Sequence, residues 1–363
     1  MHNIHRLIKQ FTLRAGIYLS IFVSILILLT LITTLIYKGI EPLQKQYVQI
    51  KNEAFTHDTM QIKSLLKQFL DKQHITDITP EMFNIKKAII SKQQILIPIN
   101  TRLTPQTTIQ NLITHNLIIT KWDFSFFRNN DSTNAQNAGI FNSIIGSLLT
   151  IVVCIIFAVP LGVATAIYLE EFAPKNGITS FIEINIKNLA AIPSVVYGLL
   201  GLILFINIMQ INRSSSLVGG LTLAMMAIPI IMTITQQALR SVPQRIREGA
   251  LALGSSKIQL LFNFLLPISM PTIITGIVLA ISRIIGETAP LLIVGMTAFV
   301  TKTPTTFFEP TTTLPTQIYL WSDNIDGLFI GKSCLAILLL LFILFIINAI
   351  ALYLKSKSSN HVK

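Results

Sequence analysis

Two ionisable residues stand where a hydrocarbon environment tolerates charge least. Arg283 and Glu287 lie in SRIIGETAPLLIVG (282–295), inside a long apolar run. A spacing of four predicts that they share one helical face. Each charge at a bilayer centre costs about 2.5–3.5 kcal/mol on insertion scales, so such residues face the bundle interior or a water path and have partners. The chemistry this pair offers is recognition of an oxyanion. A guanidinium is a planar fork of donors that matches two oxygens of one anion. A carboxylate one turn away would hold that fork in place and keep the anion from binding too tightly. The same pair could equally be an internal ion pair that fixes helix packing. Pro193-Ser194, in NLAAIPSVVYGLLGL (188–202), is a second candidate. Proline removes a backbone hydrogen bond, and the N-terminus of a broken membrane helix favours anions. Ser194 would add a hydroxyl. The alternative is a packing kink whose freed backbone groups are satisfied by neighbours. Gly198 and Gly201 suit close helix contact.

These residues require a membrane-spanning scaffold, and the composition supplies one. Of 363 residues 52% are hydrophobic and only 12% charged, against roughly 25% charged in soluble proteins. The mean hydropathy is +0.64. Six apolar runs are expected to span: Ile17–Tyr37, Ile140–Leu169, Phe181–Met209 broken by Pro193, Leu217–Leu239 around Pro229, Ile268–Phe299 with Pro271 and Pro290, and Leu328–Leu354. The first matches the ~20 residues of a bilayer span, exceeds a signal-peptide core and lacks a small-x-small cleavage site, so it reads as an anchor. Residues 1–37 are expected to be a cytoplasmic N-terminus and first span, 38–137 a small soluble periplasmic insert, 138–354 the membrane domain and 355–363 a cytoplasmic tail. The insert carries twelve Lys and Arg against eight Asp and Glu. Within it, 60–70 is helical in period and 88–99 resembles strand. Its role stays open between a spacer or subunit contact and a contact for a substrate receptor.

Arg6, Lys9, Arg14, Arg240, Arg245, Arg247, Lys257, Lys355, Lys357 and Lys363 all fall on one side, as positive-inside topology requires. The net charge of +12 is explained by those loops and does not imply nucleic acid. Cys154 and Cys334 lie in apolar runs and suggest no disulfide. The six His are scattered without zinc-ligand spacing, so no metal site is expected. TTFFEPTTT (305–313) reads as a Thr-rich outer loop only. GLFIGKS (327–333) is a near miss for a nucleotide-binding loop: that motif needs four residues between its glycines and a preceding strand. This chain is therefore not expected to bind or hydrolyse nucleotide.

The long polar interruption of the apolar second half is EGALALGSSKIQLLFNFLLP (248–267). Ile246, Ala250 and Leu253 recur at helical spacing. Gly254 suits a helix end, and Ser255 or Ser256 can cap a second helix placing Leu260, Phe264 and Pro267 against the membrane. A helix-turn-helix on the cytoplasmic face is a docking element, or else a plain amphipathic hairpin. The stretch resembles the EAA loop of binding-protein-dependent ABC importers, with Gly249 in place of an Ala and Phe264 in place of an Ile. The resemblance implies that a coupling loop, 240–267, inserts into a cleft on a separate ATPase through Glu248, Gly249, Ala250, Gly254, Leu266 and Pro267. With 138–174, 188–202 and 282–295 included, residues 138–354 resemble the PstA-type permeases of phosphate ABC importers. The insert departs from the shortest members.

What this resemblance implies is an all-α polytopic protein of six transmembrane helices, with a type 1, MetI-like importer core working by alternating access in the bacterial inner membrane. The substrate path expected within that core uses Arg283, Glu287, Thr288 and Ser194, with Gly286-Glu287-Thr288-Ala289-Pro290 also matching the family's pattern. The implied partners are a PstC-type sister permease, two PstB-type ATPases and a PstS-type phosphate receptor. The chain itself would bind no cofactor; ATP would be used by the partner. Sulfate or molybdate permeases remain alternatives in the same class. An ion-coupled secondary carrier and a signalling receptor are rivals from other classes.

Overall fold

The computed structural model describes residues 2–51, 62, 64, 66–68, 82, 83, 89, 90, 94–99 and 118–359. The chain forms two compact units, residues 1–127 with 134–137, and 128–133 with 138–363.

The first unit begins with α1 (His2–Ile40), whose described side chains from Tyr18 to Tyr37 are almost all exposed. Pro42 ends it in a short 3₁₀ turn, Glu41–Leu43, because the residue before a proline is driven out of helical geometry. A four-stranded antiparallel sheet follows, with β1 (Gln44–Lys51), β2 (Ile89–Ile90), β3 (Gln94–Pro98) and β4 (Ile118–Trp122) in the order β2-β3-β1-β4. Val48 opposes Ile97 on one side and Ile118 on the other. Tyr47, Val48, Ile97 and Ile99 are buried, as are Ile62 and Leu66, one helical turn apart. The expected helix at 60–70 is present at its described positions, 62, 64 and 66–68, and the expected strand at 88–99 is β2 and β3. The remainder of both stretches lies outside the described residues.

The second unit is helical. Its long members are α2 (Phe141–Ile167), α5 (Ser216–Arg240), α8 (Leu266–Ile285) and α11 (Leu328–Ser359). Helix α5 is buried along most of its length, and α2 packs beside it. The main core joins Cys154 and Ala158 of α2, Leu223, Ala227 and Ile231 of α5, and Ala280 and Ile284 of α8. Both cysteines are buried, and no disulfide joins them.

Two expected spans are not continuous. The third is split into α3 (Gly177–Leu189) and α4 (Ser194–Gly201), the latter extended by a π-helical stretch, Leu202–Ile208; the two parts meet at 101°. Pro193 forces the break, since it lacks an N–H and disfavours helix at Ile192. Tyr197 Oη donates to Leu189 O across it at 2.8 Å, and the same carbonyl accepts from Ile192 N at 3.1 Å in place of the N–H that Pro193 lacks. Among the described residues five helices are long and apolar enough to cross a bilayer, and six if this bent pair counts as one. The fifth expected span stops at Ile285, and a separate short helix, α9 (Ala289–Ile293), follows. Pro290 accounts for this: inside a continuous helix its ring would meet the carbonyl of Gly286.

The Thr-rich segment is more than a surface loop. Thr311, Thr312, Thr313 and Thr316 are buried. Thr313 and Thr316 form a capping box that starts α10 (Leu314–Ser322). Ser147 Oγ accepts from Leu314 N at 2.7 Å, and Ser143 Oγ donates to Gln317 Oε1 at 3.2 Å, tying α10 to the start of α2. Asp131 accepts from Gln317 Nε2 at 3.0 Å and from Trp321 Nε1 at 3.1 Å. Composition alone suggested a loop, whereas the Thr312 hydroxyl shares a hydrogen bond with Ser143 Oγ at 3.1 Å, 169 positions away.

Candidate functional site

The loop between α5 and α8 begins with α6 (Gln244–Ala252), which starts after Pro243. Gly254 follows with φ +83°, the left-handed conformation that a residue without Cβ adopts freely. Ser256 then caps α7 (Lys257–Leu260): its hydroxyl accepts from Gln259 N at 3.3 Å, while Gln259 Oε1 accepts from Ser256 N at 2.9 Å. A π-helical turn, Leu261–Leu265, leads into α8.

Ala250 is buried with Leu239, Val242, Leu260, Leu261 and Leu265, and Ile246 and Leu266 pack at the edge. Leu253 departs from the expected face and is 86% exposed. It is the C-cap, with φ −81° and ψ 5°, and has already left the helix where Gly254 reverses the chain. Glu248 and Gly249 are exposed, and so are Phe264 and Pro267. Leu251, Leu253, Ile258 and Phe262 also present apolar side chains outward. The loop is thus an elbow set by a glycine turn and a serine cap, its outer surface mixing these apolar side chains with Arg245, Glu248, Lys257 and Gln259.

The helix breaks hold the other candidates. Arg283 is exposed and lies in the last turn of α8. Glu287 is half-buried beyond the helix end, its N–H donating to Ile284 O at 3.0 Å. The two therefore do not share a helical face, and neither is in an ion pair with a described residue. The expectation of a shared face fails because α8 ends between them. Thr288 is the N-cap of α9 and Ser194 opens α4; both are half-buried. Helices α4 and α9 pack together so closely that a Cβ on Gly198 would lie 2.8 Å from Pro290 Cα. The structure thus joins the two broken spans through Gly198. It sets the Arg283 region apart from the elbow, since a rise of about 1.5 Å per residue puts Arg283 about 24 Å along α8 from Pro267.

The near miss for a nucleotide loop lies at the start of α11. Lys332 is buried and its Nζ donates to Ala138 O, while Ser333 Oγ donates to Ile318 O at 3.2 Å. Both groups serve the fold.

A set of charges near the elbow was not singled out by sequence. Arg247 Nη1 donates to both oxygens of Glu171, at 2.7 and 2.8 Å, and Nη2 donates to Leu239 O at 2.9 Å. Arg240 Nε donates to Glu170 at 2.8 Å, and Arg240 Nη2 to Glu183 at 3.4 Å. Glu170 and Glu171 belong to a π-helical turn, Tyr168–Phe172, that closes α2. The available signal was two adjacent acids at the end of an apolar span, on the side where basic residues gather.

The fold and these features define a polytopic helical membrane component with an elbow on one face and broken helices within the bundle. The chain belongs to the family of binding-protein-dependent transport system inner membrane components, which matches residues 158–359. It is 31% identical over 230 residues to the probable ABC transporter permease protein YqgI of Bacillus subtilis, covering 60% of this chain and 77% of that one. It is 38% identical over 157 residues to the phosphate transport system permease protein PstA of Mycobacterium leprae, covering 43% of this chain and 50% of that one. To the phosphate transport system permease protein PstC of Pasteurella multocida it is 31% identical over 267 residues, covering 65% of this chain and 81% of that one. All three of these relatives are described as transport permeases.

Proposed function

We propose that this chain is a permease subunit that moves inorganic phosphate inward across the bacterial inner membrane, energised by a separate ATPase that docks on 240–267. The observation that carries the reading is the elbow: two short helices set by Gly254 and Ser256, anchored by Ala250 beneath and presenting Leu251, Leu253, Ile258 and Phe262 outward among charged side chains. Such a surface fits a cleft on another protein. The substrate follows from the relatives named above and from the chemistry of Arg283, whose donor fork suits a tetrahedral oxyanion. Glu287, Thr288 and Ser194 stand at helix breaks, where backbone groups become available to a substrate. The partners are a PstC-type sister permease, two PstB-type ATPases and a PstS-type receptor, and ATP is consumed by the ATPases.

Arg283→Gln tests the substrate path. Losing a charged hydrogen-bonding contact worth about 1.5–3 kcal/mol lowers uptake of labelled phosphate about 10- to 150-fold, with the protein still present in the membrane. Normal uptake by that variant removes Arg283 from the path. Competition with sulfate and molybdate separates phosphate from other oxyanions.

A further inference from the structure

We infer that Glu171 and Arg247 form a strut through which movement of the elbow reaches α2, with Arg240 clasping Glu170 and Glu183 beside it. Along the chain the elbow is joined only to α5 before it and α8 after it. Ile167 at the end of α2 packs against the cluster under Ala250, and the Arg247–Glu171 pair adds a directional, charged link to the same helix end. Helix α6 has little apolar anchorage of its own, since Ala250 is its one fully buried side chain. Arg247 compensates with three donated bonds, two to Glu171 and one to Leu239 O at the end of α5. The two side chains are only 16% and 10% exposed. A shielded pair resists separation, because parting it would leave each charge uncompensated. Arg240 is 48% exposed, so its contacts to Glu170 and Glu183 are the weaker, screened part of the network. A push on the elbow therefore moves α2, α5 and α8 together instead of bending the chain at Ser241–Pro243.

This inference rests on the reading that the elbow receives an ATPase, and the experiment separates the two. The full complex, with sister permease, ATPase and receptor, is reconstituted in vesicles, and phosphate moved and ATP hydrolysed are both measured. Wild-type vesicles without ATP-dependent uptake overturn the parent reading, and the strut with it. Given active wild type, Glu171→Gln and Arg247→Gln are expected to lower phosphate moved per ATP by roughly 5- to 150-fold, the usual range of coupling between sites. The reciprocal variant, Glu171→Arg with Arg247→Glu, is expected to recover part of that ratio, because it restores the pair but not the bond to Leu239 O. A role in folding alone lowers the amount of protein and leaves the ratio unchanged. An unchanged ratio in the single variants, or a reciprocal variant no better than they are, overturns the strut.

Discussion

Asp131 shows how a single carboxylate is set by its surroundings. Burial raises its pKa above the ordinary value, while hydrogen bonds from Gln317, Trp321 and Ser132 and the nearby charge of Lys332 oppose that rise. A carboxyl whose folded pKa lies above its unfolded one binds its proton more readily when folded. Its contribution to stability is therefore full below the unfolded value and is lost as pH rises through the folded one. Asp131→Asn keeps an acceptor for Trp321 and removes the charge. Thermal melts of the purified chain between about pH 4 and 7 should show this part of the pH dependence flattened in the variant. Arg283 is a different case: it has neither burial nor an ion-pair partner among the described residues, so its role depends on what meets the exposed end of α8.

At the scale of elements, the elbow is held by local backbone chemistry. Nothing lies within 4 Å of a Cβ built on Gly254, so only its φ of +83° limits substitution. A left-handed conformation costs an ordinary residue about 1–2 kcal/mol, and Asn less. Gly254→Val should reduce ATP-dependent phosphate uptake more than Gly254→Asn, with wild type highest. An equal effect of Val and Asn would show that the turn's handedness is irrelevant. Position 254 and the Ser256 cap were legible in the sequence because both signals are local. The break at Pro193 was legible for the same reason, although its 101° bend was not: a proline fixes where a helix stops, and neighbouring helices decide where the next one points. Leu253 was misread because periodicity assumes a helix that continues, and the cap ends it one residue early.

For the whole molecule, the rivals differ in their source of energy. If an ATPase drives transport through the elbow, uptake in vesicles should require the ATPase and internal ATP, and should persist when ionophores collapse the ion gradients. Uptake abolished by ionophores with ATP intact would favour an ion-coupled carrier. Helix α8 links the two ends of this scheme, with the elbow at its start and Arg283 in its last turn. Chain order brings those two together, whereas the packing of α4 on α9 through Gly198 and Pro290 unites the two broken spans across the bundle.

The sequence alone determined the membrane class, the helix break at Pro193, and the elbow with its glycine turn and serine cap. Each follows from hydropathy or from backbone preferences acting over a few residues. Tertiary structure alone decided that Arg283 and Glu287 are parted by a helix end, that the threonine run is buried, and that Glu171 meets Arg247 across 76 positions. Such contacts depend on which surfaces the long helices bring together, and no local preference encodes that.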